Sequence, residues 1–340
     1  MGTTVTANDI TARIKYLQET SVSGISNLEL EFRAITKVSD GFYKEKNSEI
    51  VLQVEDSNVY QNGDFNTAVK RDRHPSIQPS KLYKAVLSRE ANNLASYINA
   101  VLVPGFTKRE NQILTQLPMP NTVTDFWRLV AQYNVKLVVA FQTKVAGIEK
   151  TQTLGQYLPA NMTTPLDCGP YEIHTGPVKS ESLWEEQQIT VKVVKKEIVF
   201  LPANVTNETH VTHIASKSTD LNPKNLLKLL KHTRSNNVQA QGRVLYMCRN
   251  GAEFSGLACV LSLLLDRMDH DQSLTVPLVV GAIKCIRPQV IPSLEQYYCL
   301  YEVLLRYNIR AAYCNNHNIP GKNSKYMLEL NQEDTVYANC

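Results

Sequence analysis

Val244-Leu-Tyr-Met-Cys248-Arg-Asn-Gly251-Ala-Glu-Phe254-Ser255-Gly256, followed by the apolar run Leu257 to Leu265, is the stretch that decides the fold. Val244 to Cys248 reads as a buried strand, Cys248 opens a glycine-containing loop, and the apolar run reads as a helix whose N-terminus points back at the cysteine. Such a loop aims backbone N–H groups and a helix dipole at one small volume, which suits a phosphate or a thiolate.

Outward from this segment, leucine spacing predicts an amphipathic helix over 221–234 that carries Leu226, Leu227, Leu229 and Leu230 inward and its lysines as a solvated face. The clearest strand periodicity lies at 189–201. Strands are expected over 97–103 and 113–116, then a helix over 123–132 and a strand over 135–141. Residues 8–37 carry helical periodicity through Ile10, Ile14 and Leu17, then Leu28, Phe32 and Ile35; residues 38–80 read as polar and turn-rich. Two or three helices follow the cysteine loop and end near Asn308. Strands mixed with helices, and no domain-scale linker, predict one α/β (α+β) domain around a mixed sheet. Its bounds are 25–310, after a helical lead-in over 1–24 and before a polar flexible tail over 311–340.

The chain has 340 residues, 43% hydrophobic and 20% charged, which suits a globular protein with an ample core. A net charge of +4 is too diffuse to argue nucleic-acid binding. Seven cysteines show no CxxC pair and no metal-like spacing, so the sequence calls for no metal and no cofactor and reads as reduced and intracellular. There is no signal peptide and no apolar run of membrane-spanning length, so any span of the natural protein would lie outside this chain.

Four segments stand in the order seen in protein tyrosine phosphatases: Tyr97-Ile-Asn-Ala100, Thr115-Gln-Leu-Pro-Met-Pro-Asn-Thr-Val-Thr-Asp-Phe-Trp127-Arg-Leu-Val130, the Cys248 loop, and Glu295-Gln-Tyr-Tyr-Cys-Leu-Tyr-Glu-Val-Leu304. The chain resembles that family from about residue 25 to residue 308. It most resembles the catalytically inactive second, membrane-distal (D2) domain of a receptor-type tyrosine phosphatase. The resemblance implies a highly twisted mixed sheet flanked by helices.

It also implies roles, position by position. The family nucleophile falls at Cys248, in a vestigial phosphate loop of Cys248, Arg249, Asn250, Gly251, Ala252, Glu253, Phe254 and Ser255. The family's phosphate-gripping arginine falls at Phe254, which offers no donor; losing one charged clamp of this kind costs on the order of 10³ or more in rate. Glu253 would repel a phosphate. The general acid segment falls at Ile214, Ala215 and Ser216, and a serine has no useful acidity near neutral pH. Asp220, the nearby carboxylate, is displaced along the chain. The phosphotyrosine loop falls at Arg71, Asp72, Arg73 and His74, so His74 replaces a ring-packing tyrosine and Ser76 a substrate-binding aspartate. The water-positioning glutamine falls at Pro292, while a second glutamine is kept at Gln296. A family lysine falls at Thr153 and a tryptophan at Leu158.

None of these positions is then expected to be catalytically functional. Cys248 is either a small buried residue or a redox-sensitive or residually nucleophilic thiol, and Arg287-Pro288 is expected to close the sheet end rather than bind ligand. The implied function is that of a pseudophosphatase domain with a regulatory or scaffolding role in tyrosine-phosphorylation signalling. It would form the cytoplasmic part of a single-pass membrane receptor whose separate first domain dephosphorylates phosphotyrosine. Implied partners are that adjacent active domain, another receptor, or cytoplasmic signalling proteins. Two alternatives are a phosphotyrosine-binding module and a stand-alone cytoplasmic or viral pseudophosphatase. Tyr313 and Tyr337, each followed two residues on by asparagine, fit an SH2-adaptor pattern once phosphorylated.

Overall fold

The computed structural model describes residues 5–6, 10–21, 24–55, 71–88, 96–105, 111–142, 154–194, 207–240, 242–271 and 273–315. A short strand β1 (Val5–Thr6) leads to helices α1 (Ile10–Gln18) and α2 (Asn27–Glu55). Strands β2 (Lys84–Val86), β3 (Tyr97–Pro104) and β4 (Asn111–Gln116) precede helix α3 (Val123–Gln132) and strand β5 (Val135–Phe141). Next come β6 (Leu166–Cys168), β7 (Tyr171–Thr175), β8 (Lys179–Ser180), β9 (Trp184–Val193) and β10 (Glu208–Ser216). Helix α4 (Pro223–Ala240), strand β11 (Arg243–Cys248), helix α5 (Glu253–Asp271), β12 (Ser273–Leu274), α6 (Val276–Ile286) and α7 (Leu294–Asn315) complete the chain as described.

Among the described residues, ten strands form one mixed sheet in the order β2-β3-β4-β11-β5-β10-β9-β7-β6, with β8 paired on β9. Its centre, β4-β11-β5-β10, is parallel, and antiparallel wings flank it. Parallel strands need cover on both faces, and β11 shows how the sequence supplies it. Val244, Tyr246 and Cys248 point into a core shared with Leu257, Val260 and Leu261 of α5 and with α4, α6 and α7. Leu245 and Met247 point the other way, into a second core with Phe126, Trp127 and Leu129 of α3. Each such aliphatic side chain contributes about 1.5–3 kcal/mol on full burial. Helix α5 runs through this interior, hence its nearly unbroken apolar stretch.

The parallel registers place the site. Cys248 pairs with Gln116 of β4 on one side and Phe141 of β5 on the other, and Phe141 pairs with Ser216 of β10. Four carboxyl ends of parallel strands thus form one row, Gln116–Cys248–Phe141–Ser216. In open α/β sheets such a row borders the ligand crevice.

Three expectations need correction. Residues 38–55 are helical rather than turn-rich, because α2 continues past its first apolar stripe. Its buried Ser39 donates to Ile35 O at 2.8 Å and Gly281 O at 3.4 Å, so packing on α6 overrides a polar composition. The last helix runs through Asn315, beyond both Asn308 and the expected tail boundary at 310, and so includes Tyr313. The strand expected at 189–201 begins earlier, at Trp184, because pairing with β10 recruits polar residues. Thr153, Tyr337 and residues 195–201 of the strand expected at 189–201 lie outside the described residues.

Helix α1 joins the main core through Ile10 and Leu17. Arg13 of α1 pairs with Glu31 of α2, and Glu31 accepts hydrogen bonds from Tyr297 (2.7 Å) and Tyr301 (2.8 Å) of α7. On β10, His213 is buried at 3.1 Å from the Tyr157 hydroxyl, and burial depresses its pKa to about 4. The unfolded chain therefore takes up this proton first. The stability is fully present above about pH 6.5 and is lost as pH falls towards 4, with up to about 3 kcal/mol at stake. Urea titrations at pH 7 and 4.5 should show a smaller difference for His213→Gln than for the wild type; an equal difference would refute this assignment.

Candidate functional site

The strand β11 ends at Cys248, the chain turns through 249–252, and α5 starts at Glu253. Gly251 makes that turn, with φ +69°. A Cβ there would meet Gln116 N at 2.5 Å, Thr115 C at 2.7 Å and Arg287 Nη1 at 2.9 Å. Both conformation and space therefore demand glycine. Gly251→Ala should cost at least about 2 kcal/mol in chemical denaturation, from left-handed strain plus the displaced backbone.

The loop satisfies itself. Asn250 Oδ1 accepts from Ala252 N at 3.1 Å and Glu253 N at 3.0 Å, which caps the first turn of α5. The Cys248 thiol donates to the same oxygen at 3.2 Å and lies 3.1 Å from Ser255 Oγ. Gly251 N donates back to Cys248 O at 3.2 Å. Glu253 stands in the helix's first turn, where its charge suits the dipole. Phe254 turns its ring onto Phe141, with centroids 6.4 Å apart and planes 23° apart. An aromatic stack thus fills the position next to Cys248 in the strand-end row.

Arg287 braces the loop from behind. Fully buried, it donates through Nη1 to Gly251 O and through Nη2 to Asn99 Oδ1, each at 2.7 Å, and burial lowers its pKa to about 10. Asn99 Nδ2 reaches Asp72 Oδ1 at 2.9 Å and Ile77 O at 2.7 Å, and the Tyr97 hydroxyl reaches Asp72 at 2.6 Å. Burial outweighs these bonds and raises the Asp72 pKa. Gln116, at the end of β4, accepts from Arg73 N at 3.0 Å and donates to Arg71 O at 2.8 Å. Arg71 pairs with Asp125, which also holds Arg128. The segment 71–77 is thereby fixed beside the cysteine loop.

The sequence-derived positions divide as follows. Arg249, Arg73 and His74 come together: burial first, then the charge of Arg249, lowers the pKa of Arg73 to about 10, and burial, then the charges of Arg73 and Arg249, lower that of exposed His74. Ser216 does not sit on a loop. It is the last residue of β10, paired with Phe141 and Trp184, and its hydroxyl donates to Ser218 O at 2.6 Å. Ile214 and Ala215 are likewise held in the sheet, and Lys217 is tied down after them, through N to Leu183 O at 2.9 Å and through Nζ to Ser180 Oγ at 2.7 Å and Glu181 O at 2.6 Å. Asp220 in the connection to α4 is exposed and accepts from Asn222 N at 3.4 Å. Pro292 is exposed beside Ile291, whose φ is +49°, and Gln296 is buried in the first turns of α7. Sequence reasoning missed the bracing role of Asn99 and Gln116, and the capping role of Asn250; the Asn-Gly pair before a helix was the available signal for the last.

A small cavity lies beside the two loops, lined by Arg71, Tyr97, Asn99, Gln116, Asp125 and Phe126; neither Cys248 nor Phe254 lines it. Among the described residues no three His, Cys, Asp or Glu gather as a metal site, and no helix is long and apolar enough to cross a membrane.

Comparison with known proteins agrees with this geometry. The rat receptor-type tyrosine-protein phosphatase zeta is 25% identical over 261 residues, covering 73% of this chain and 11% of that protein. The mouse receptor-type tyrosine-protein phosphatase C is 25% identical over 258 residues, covering 72% of this chain and 19% of that protein. Rat receptor-type tyrosine-protein phosphatase V is 26% identical over 241 residues, covering 69% and 14%. The chain thus spans less than a fifth of the length of these relatives. The protein-tyrosine phosphatase family model matches residues 68–306, from just before the Arg71 loop to the middle of α7. A strand, cysteine turn and buried helix within that matched region leave one conclusion: the chain belongs to the protein-tyrosine phosphatase family.

Proposed function

We propose that this chain is a catalytically inactive tyrosine-phosphatase domain that acts through protein contacts. It would be the second cytoplasmic domain of a receptor whose first domain hydrolyses phosphotyrosine. The observation that carries the reading is Phe254, an aromatic ring stacked on Phe141 where the family places its phosphate-gripping arginine. Phosphoryl transfer depends on positioning and charge stabilisation, and a phenyl ring supplies neither. Supporting it, the acid segment is tied into β10, and Pro292 stands where the water-positioning glutamine falls. The receptor setting rests on the relatives, all three of which are receptor-type phosphatases. The partners best matching this role are the adjacent active domain, another receptor, or cytoplasmic signalling proteins.

Turnover of a small aryl phosphate tests the reading. The domain should show no hydrolysis above background at millimolar substrate. Hydrolysis that disappears in Cys248→Ser would overturn it.

A further inference from the structure

We propose that Asn250 is a built-in occupant of the anion cradle, closing the Cys248 loop from within. Three donors converge on one oxygen: Ala252 N at 3.1 Å, Glu253 N at 3.0 Å and the Cys248 thiol at 3.2 Å approach Asn250 Oδ1. An ordinary helix cap reaches the amides of its own first turn. This oxygen also takes a donor from the end of β11, across the turn, so it lies in the space between strand and helix where an anion oxygen would collect N–H groups. A fourth group, Gly251 N, is used by Cys248 O at 3.2 Å. The occupant is tethered by its own backbone, so a free anion competes against an intramolecular ligand. With Phe254 turned onto Phe141, no side-chain cation of the loop's helical end compensates an incoming anion for displacing the carboxamide.

The inference rests on the reading of this loop as non-hydrolysing, but its test measures alkylation rather than turnover, so the two fail separately. Cys248 would be followed by peptide mapping after treatment with iodoacetate, which is anionic, and iodoacetamide, which is neutral. In either case sulfur forms the new S–C bond, iodide leaves, and the thiol proton passes to buffer. In Asn250→Ala the freed N–H groups can hold the carboxylate of iodoacetate. Its rate should rise roughly tenfold over wild type, the scale of one charge-assisted hydrogen bond, and rise more than the iodoacetamide rate. Asn250→Asp keeps the acceptor and should react no faster than wild type with either reagent. Asn250→Ser retains a helix-capping hydroxyl on a shorter arm and guards against loss of the fold; it should also raise the iodoacetate-to-iodoacetamide ratio. An unchanged ratio in whichever of Asn250→Ala or Asn250→Ser melts like the wild type overturns the proposal, as does an Asn250→Asp that reacts as fast as Asn250→Ala.

Discussion

Arg287→Ala should cost about 3–5 kcal/mol of folding stability, the scale seen when one partner of a buried charged network is removed. The guanidinium is fully buried, and its two Nη groups are the donors to Gly251 O and Asn99 Oδ1. Truncation would leave both acceptors facing a cavity, at about 1–3 kcal/mol each, before any packing loss. Arg287 Nε has no partner among the described residues, which keeps the expected cost below a simple sum. Arg287→Lys retains a charge but not the fork, so it should recover less than half of the loss. Urea unfolding measures this; a cost under about 1 kcal/mol for Arg287→Ala would show that the loop does not depend on its brace. Because Asn99 also holds Asp72 and Ile77, the damage should extend to segment 71–77, visible as faster amide exchange there.

Glu31→Ala should cost about 3–4 kcal/mol. The carboxylate side chain is 14% exposed and its partner Arg13 10% exposed, so solvent does little to replace the pair. The same carboxylate accepts from Tyr297 and Tyr301, whose hydroxyls burial holds in the protonated form with pKa values well above the usual range. Removing Glu31 takes the carboxylate from Arg13 and a strong acceptor from two hydroxyls at the junction of α1, α2 and α7. Glu31→Gln keeps an acceptor and should cost about half as much. A double-mutant cycle with Arg13→Ala would isolate the ion pair; a coupling below about 0.5 kcal/mol would reduce it to a surface-like contact.

The central elements were legible because their signals were local. Val244 to Cys248, the apolar run of α5 and residues 135–141 carry patterns that only a covered parallel strand or buried helix satisfies, and each forms as read. The second half of α2 was hidden. Its polar residues look like a loop, and the reason for helix lies on α6, far along the chain. Strand β10 was hidden for a related cause. Residues 208–216 alternate weakly, and only pairing with β5 and β9 settles them as strand, which puts the start of the connection to α4 at Lys217. At the site, substituted positions could be read one at a time. Contacts such as Asn250 with Cys248, or Arg249 acting on Arg73, join residues whose approach depends on the turn at Gly251 or on the polar web around Gln116 and Asn99.

The row Gln116–Cys248–Phe141–Ser216 is ruled by backbone register rather than by side chains. A sheet of this kind works like a printed line on which characters can be changed without bending the page. Phe254, in the first turn of α5, and Pro292, just before α7, stand off that line and can change as freely: one rests against a neighbouring ring and the other faces solvent. Gly251, Arg287 and Asn99 belong to the page itself. A protein engineer could therefore rewrite the chemistry of this rim, one position at a time, while the molecule beneath it keeps its shape.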